Sequence, residues 1–168
     1  MSDIRVAEIK TDTIKNQAGT TAVNINSSGV ITVPNRPAFS VQCNRSSAMS
    51  ASNSFTQSHA STIVTLNQGS HFNNTTGIFT CPVAGIYSVF FNLNNKVTTS
   101  TFMGAHVCLN GNLKAQSWSG TTDAYNNATT SIFLDCSASD EIGCGYRNDY
   151  QTPSTLAGYQ HIVISLIG

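Results

Sequence analysis

Apolar residues in this chain recur at every second position in short runs, and Gly, Asn, Pro and Ser cut the runs apart. That alternation is the period of a half-buried strand; a helix would need apolar residues three and four apart, and such spacing is nearly absent. The expected fold class is therefore all-β. About eight short strands with polar loops between them make a sandwich or jelly roll. Strands are expected near 62–66, 77–80, 85–93, 103–109, 113–118, 129–136, 141–146 and 159–167. Asn110-Gly111 is a hairpin signal, because both residues tolerate positive φ. Segments 46–61 and 117–128 are rich in small polar residues and read as exposed connections, the first with one weak strand at most.

Two regions are expected, a β arm over 1–37 and a main domain over 38–168. Pro34 and Pro37 mark the boundary, since each removes a ladder donor. In the arm, AVNIN-SSG-VITV reads as a hairpin with Gly29 in the left-handed position. Its aliphatic residues include Ile4, Val6, Ile9, Ile14, Val23 and Ile25. A segment this short and polar does not hold a private core. The arm is thus expected to act as an attachment or trimerisation segment, covering a surface supplied by neighbouring copies or a larger body.

Charge narrows the function. Only 10% of residues are charged, against about 25% in ordinary globular proteins. Eight Lys+Arg balance eight Asp+Glu, so the clustered basic stripe that phosphate binding needs is missing and no nucleic-acid partner is expected. The start, MSDIRVAEIK, carries charges where a secretory leader has an apolar run, and no stretch is long and apolar enough for a membrane span. Cys43, Cys81, Cys108, Cys136 and Cys144 are odd in number and form no C-x-x-C pair. They read as small buried hydrophobes, with a disulfide between two of them left open. None of His59, His71, His106 and His161 lies in a metal-ligand array, and Ser119-Gly120 has no nucleophile-elbow context. The expectation is no enzyme, no cofactor and no metal. Trp118, the single tryptophan, is a packing residue or a contact for a glycan or protein partner.

The run NQGSHFNNTTGIFTCPVAGIYSVFF resembles the signature of the complement C1q and tumour necrosis factor jelly-roll family. Asn67, Phe72, Phe79, Gly85, Tyr87 and Phe91 fall at the family's intervals; Ser61 and Val89 depart from it, each standing where the family has Phe. Further likeness lies in Val107-Cys-Leu-Asn-Gly111 and in the run from Leu134 to Ile142. The resemblance covers about 38–168 and implies a homotrimer. QHIVISLIG fits that implication, with Ile162, Ile164 and Leu166 on one face and Val163 and Ile167 on the other. A strand apolar on both faces is buried on both, one face in the sandwich and one on the trimer axis. Tyr87, Phe91, Ile162, Ile164 and Leu166 are accordingly the candidate core or trimer-interface residues.

The arm is similar to leader segments of phage tail-fibre and virion surface proteins, through Ile9-Lys-Thr-Asp-Thr-Ile14, Asn16, Ala18-Gly-Thr20 and Val30-Ile-Thr-Val33. The resulting expectation is a bacteriophage virion structural protein on the particle surface, assembled in the host cytoplasm. It would be a homotrimeric spike, short fibre or capsid decoration, held by its arm to capsid or tail proteins. Its head would face outward for host-surface adhesion, to a glycan or protein, or for shell reinforcement. The alternative is a secreted C1q-like ligand-binding module.

Overall fold

The structure is a computed structural model, and it describes residues 11–43, 52–57, 63–97, 101–121, 124–148, 154–155 and 160–168. The chain divides between Arg36 and Pro37 into two units. The described part of the first unit is an antiparallel meander of β1 (Thr13–Lys15), β2 (Thr21–Ile25) and β3 (Ile31–Thr32), in that order. Ile14 faces Val23 and Ile25 faces Ile31, so one side of the sheet is aliphatic. Both turns are built alike. The Asn16 side chain accepts the Thr20 N–H at 2.9 Å, and the Asn26 side chain accepts those of Ser28 and Val30 at 3.0 and 2.9 Å. Gly19 and Gly29 supply the positive φ that each turn needs. Ile4, Val6 and Ile9 lie outside the described residues.

The second unit contains β4 (Ala38–Cys43), β5 (Ser52–Gln57), β6 (Ile63–Gln68), β7 (Phe72–Asn73), β8 (Ile78–Thr80) and β9 (Gly85–Val97). Then follow β10 (Thr101–Leu109), β11 (Asn112–Thr121), β12 (Ala124–Cys136), β13 (Glu141–Asn148), β14 (Ser154–Thr155) and β15 (Gln160–Leu166). One sheet runs β12-β9-β15-β4-β6, with β14 also on β9; the other runs β11-β10-β13-β8-β7, with β5 also on β13. All the pairings are antiparallel, and the chain crosses repeatedly between sheets, which is the connectivity of a jelly roll.

Alternation decides what fills the sandwich. Odd residues of β9 and even residues of β15 point inward, so Tyr87, Val89, Phe91, Leu93, Ile162 and Ile164 are all buried. From the facing sheet come Met103, Ala105, Val107, Ile142, Cys144 and Phe79. An aromatic ladder ties the layers at one end: Phe72 stacks on Phe39 with centroids 3.9 Å apart, Phe39 meets Phe79 at 6.2 Å, and Phe79 meets Tyr87 edge-on at 5.9 Å. The Tyr87 hydroxyl donates to the Val83 carbonyl at 2.9 Å, which satisfies the polar end of an otherwise apolar side chain.

The connection expected over 117–128 is not one. β11 runs on to Thr121 and β12 starts at Ala124, so most of these residues sit in strands. Small polar residues serve here because their inward positions are satisfied inside the sandwich. Thr130 Oγ donates to the Ala105 carbonyl at 2.8 Å and lies 2.9 Å from the Ser117 hydroxyl, while Ala128 needs no partner. Strand lengths differ too, since β9 and β12 have 13 residues each. Within 46–61, β5 pairs with β13, and 46–51 and 58–61 lie outside the described residues.

Candidate assembly face and the outer-sheet patch

The residues carrying the family signature hold turns and core. Asn67 bridges a sharp turn: its Oδ1 accepts the Phe72 N–H at 3.2 Å and its Nδ2 donates to the Phe72 carbonyl at 3.3 Å, around Gly69 and Ser70, both with positive φ. Phe72 and Phe79 belong to the aromatic ladder. Gly85 has φ +155°, and a Cβ there would lie 2.5 Å from the Gly168 carbonyl oxygen. No side chain fits, because that oxygen accepts the Ile86 N–H at 2.7 Å. Val89, a departure from the family pattern, fills its core position fully buried; Ser61, the other, lies outside the described residues.

Of the five candidates for core or interface, Tyr87, Phe91, Ile162 and Ile164 are core, and Leu166 packs partly buried against it. The opposite face of the same sheet presents a different set. Register places Leu66 beside Ser40, Ser40 beside Val163, Val163 beside Phe90 and Phe90 beside Ser131. Within the single chain Leu66 is 44% exposed, Val163 and Phe90 39% each, and Phe133, one row over, 69%. Within one copy β15 is thus buried on one face, the one expected in the sandwich; the other face, expected on the trimer axis, is the exposed one. Alongside the apolar row runs a polar one of Gln42, His161, Asn92 and Thr129. There Asn92 Nδ2 donates to Asn127 Oδ1 and Thr129 Oγ1, both at 2.9 Å.

Phe90, Phe133 and Leu66 were not singled out from sequence. The available signal was the doublet Phe90-Phe91, since neighbours on a strand point to opposite faces; one Phe fills the sandwich, and the other needs its own cover.

The outer face of the second sheet carries Trp118, 39% exposed. Its ring meets the buried His106 edge-on at 5.5 Å, and the Arg147 guanidinium lies 5.6 Å from its centroid. Gly104 and Gly120 leave room for flat rings: a Cβ at Gly104 would come within 3.1 Å of Trp118, and one at Gly120 within 2.7 Å of Phe102. Beside this patch His106, Cys108, Leu113, Gln116 and Arg147 line an open groove of about 160 Å³. Among the described residues, no three His, Cys, Asp or Glu side chains gather as a metal site requires, and no helix is long and apolar enough to cross a membrane.

The C1q domain family model matches residues 38–159. The chain belongs to the C1q domain family. Solved structures agree on the fold. The globular domain of zebrafish complement 1qA protein is similar with a TM-score of 0.61 at 18% identity, covering 79% of this chain and 98% of that one. Murine APRIL at pH 5.0 is similar with a TM-score of 0.60 at 16% identity, covering 79% and 99%. C1q and tumour-necrosis-factor-like domains are typically non-enzymatic ligand-binding modules and commonly form homotrimers.

Proposed function

We propose that the protein is a non-catalytic, homotrimeric structural module of a bacteriophage particle, anchored by its N-terminal arm with the C1q domain facing outward. The observation that carries the assembly reading is the uncovered patch of Leu66, Val163, Phe90 and, one row over, Phe133 on an otherwise well-packed sandwich. Contiguous apolar patches on a β-sheet mark interaction surfaces. A neutral chain with few charges also offers little repulsion between copies. The polar row beside the patch would fix how copies meet, because its amides and hydroxyls must find partners once covered.

Support for the particle reading comes from the arm. Its likeness to phage leader segments is joined by a sheet with an exposed aliphatic side, including Ile31 at 66%. Covering that side would take Ile14, Val23, Ile25 and Ile31 out of water, which is favourable for aliphatic side chains. Trp118 and its groove, on the other sheet, would remain free for a host glycan or protein. The deciding experiment is sedimentation of the full chain with purified phage particles, compared with a chain lacking residues 1–36. Binding by the full chain alone supports the proposal. Binding by neither, together with secretion and capture of a soluble ligand, favours the C1q-like ligand-binding module instead.

A further inference from the structure

All four cysteines with described side chains are buried free thiols, and two of them sit at strand ends in opposite sheets. Cys81 follows β8 in one sheet, and Cys136 closes β12 in the other, opposite Gly85. Backbone bonds fix the place of each. Cys81 N–H donates to the Asp140 carbonyl at 2.8 Å, and Ser139 N–H donates to the Cys81 carbonyl at 2.7 Å. The turn that brings Ser139 and Asp140 there starts at Cys136 itself and is closed by Asp140 N–H donating to the Ser137 carbonyl. Those backbone bonds bring the two residues to the same end of the sandwich, and both belong to the one buried core cluster. Cys108 and Cys144 are placed differently. Val107 pairs with Cys144, so Cys108 lies on the opposite face of that sheet, and those two do not pair with each other.

We infer that Cys81 and Cys136 form an intrachain disulfide, bridging the two sheets, when the chain folds in the presence of a small-molecule disulfide such as oxidised glutathione. The thiolate of one cysteine attacks a sulfur of the small disulfide, forming a mixed disulfide and releasing one small thiolate. The second cysteine's thiolate then attacks the protein sulfur of that mixed disulfide, forming the Cys81–Cys136 bond and releasing the second small thiolate. The protein loses two electrons and two protons; the oxidant gains both as two small thiols. Timing follows from burial. Thiolate is the attacking form, and burial pushes both thiols above the ordinary range. The completed sandwich therefore shields the pair, and reaction belongs to folding or transient opening.

The test is to unfold the full chain under reducing conditions and refold it with oxidised glutathione or with a reductant. Oxidative refolding is expected to lower the intact mass by two hydrogens and to give a proteolytic peptide linking Cys81 to Cys136. It should raise the thermal midpoint by about 5–15 °C, a gain lost on reduction. The already folded, reduced chain should react at least roughly tenfold more slowly with the same oxidant. Cys136→Ala should refold without the mass loss. A refolded chain with all thiols free, a link between another pair, or equal reaction of folded and unfolded chains would overturn the inference. Should Cys136→Ala fail to fold, the peptide map of the natural chain decides alone.

Discussion

Asp140 holds two turns together. Its Oδ2 accepts the Ser137 N–H and its Oδ1 accepts Asn110 Nδ2, each at 2.8 Å, while Asn110 Oδ1 accepts the Glu141 N–H. Hydrogen bonds from Asn110 and then Ser137 favour the charged carboxylate and lower its pKa below the ordinary value. The sign follows from that direction. The contribution is fully present above the unfolded-state pKa and is lost as pH falls through the lower folded-state value. Asp140→Asn is thus expected to flatten the acid limb of a stability-against-pH curve measured by denaturant titration; an unchanged acid limb would show that the turn clamp contributes nothing. A deeper residue gives a larger effect. Phe39 is buried against Phe72 and Phe79, and Phe39→Ala should cost about 3–5 kcal/mol through lost burial and the cavity left behind. Calorimetry with a loss below about 1 kcal/mol would mean the ladder can collapse to fill the space.

At the scale of elements, β15 allows folding and the proposed assembly to be tested apart, because one of its faces is buried in the sandwich and the other is exposed. Ile164→Asp places a carboxylate in the sandwich and should cost on the order of 3 kcal/mol or more unless the group is protonated. Val163→Asp puts the same group on the exposed row. It should shift light scattering from trimer to monomer mass and lower the thermal midpoint less than Ile164→Asp does, by the stabilisation the interface alone supplies. Equal destabilisation by both would refute the division of faces. The strands themselves were largely legible, because alternation over 85–93 and 159–167 and the Asn110-Gly111 turn are local signals; Asn110 and Gly111 both take positive φ, as that turn requires. The family signature added what periodicity lacks, the choice of a jelly roll among the all-β arrangements. What stayed hidden were strands whose sequence resembles loop. β11 and β12 continue through serines, threonines and asparagines because long-range pairing, Thr101 with Thr121 and Val97 with Ala124, supplies the ladder bonds. The exposed apolar face was hidden for another reason: Phe90 and Phe133 stand beside core residues, and only the register shows them in neighbouring rows of one surface.

For the whole molecule, the two units predict separable behaviour. A chain beginning at Pro37 should fold with the same far-ultraviolet spectrum and scatter light as a trimer, burying above roughly 2,000 Å² in total. A monomer at micromolar concentration would remove the basis of the proposed assembly. The arm, meanwhile, has a construction of its own. Asn16-Gln-Ala-Gly19 and Asn26-Ser-Ser-Gly29 make the same turn, ten positions apart (26 − 16 = 10). Each such period adds one strand and one reversal to the meander. A gene encoding this arm can therefore lengthen it by copying whole periods without disturbing the pairing already present, and parity governs the result. One added period sends the chain out of the sheet in the opposite direction, whereas two restore it.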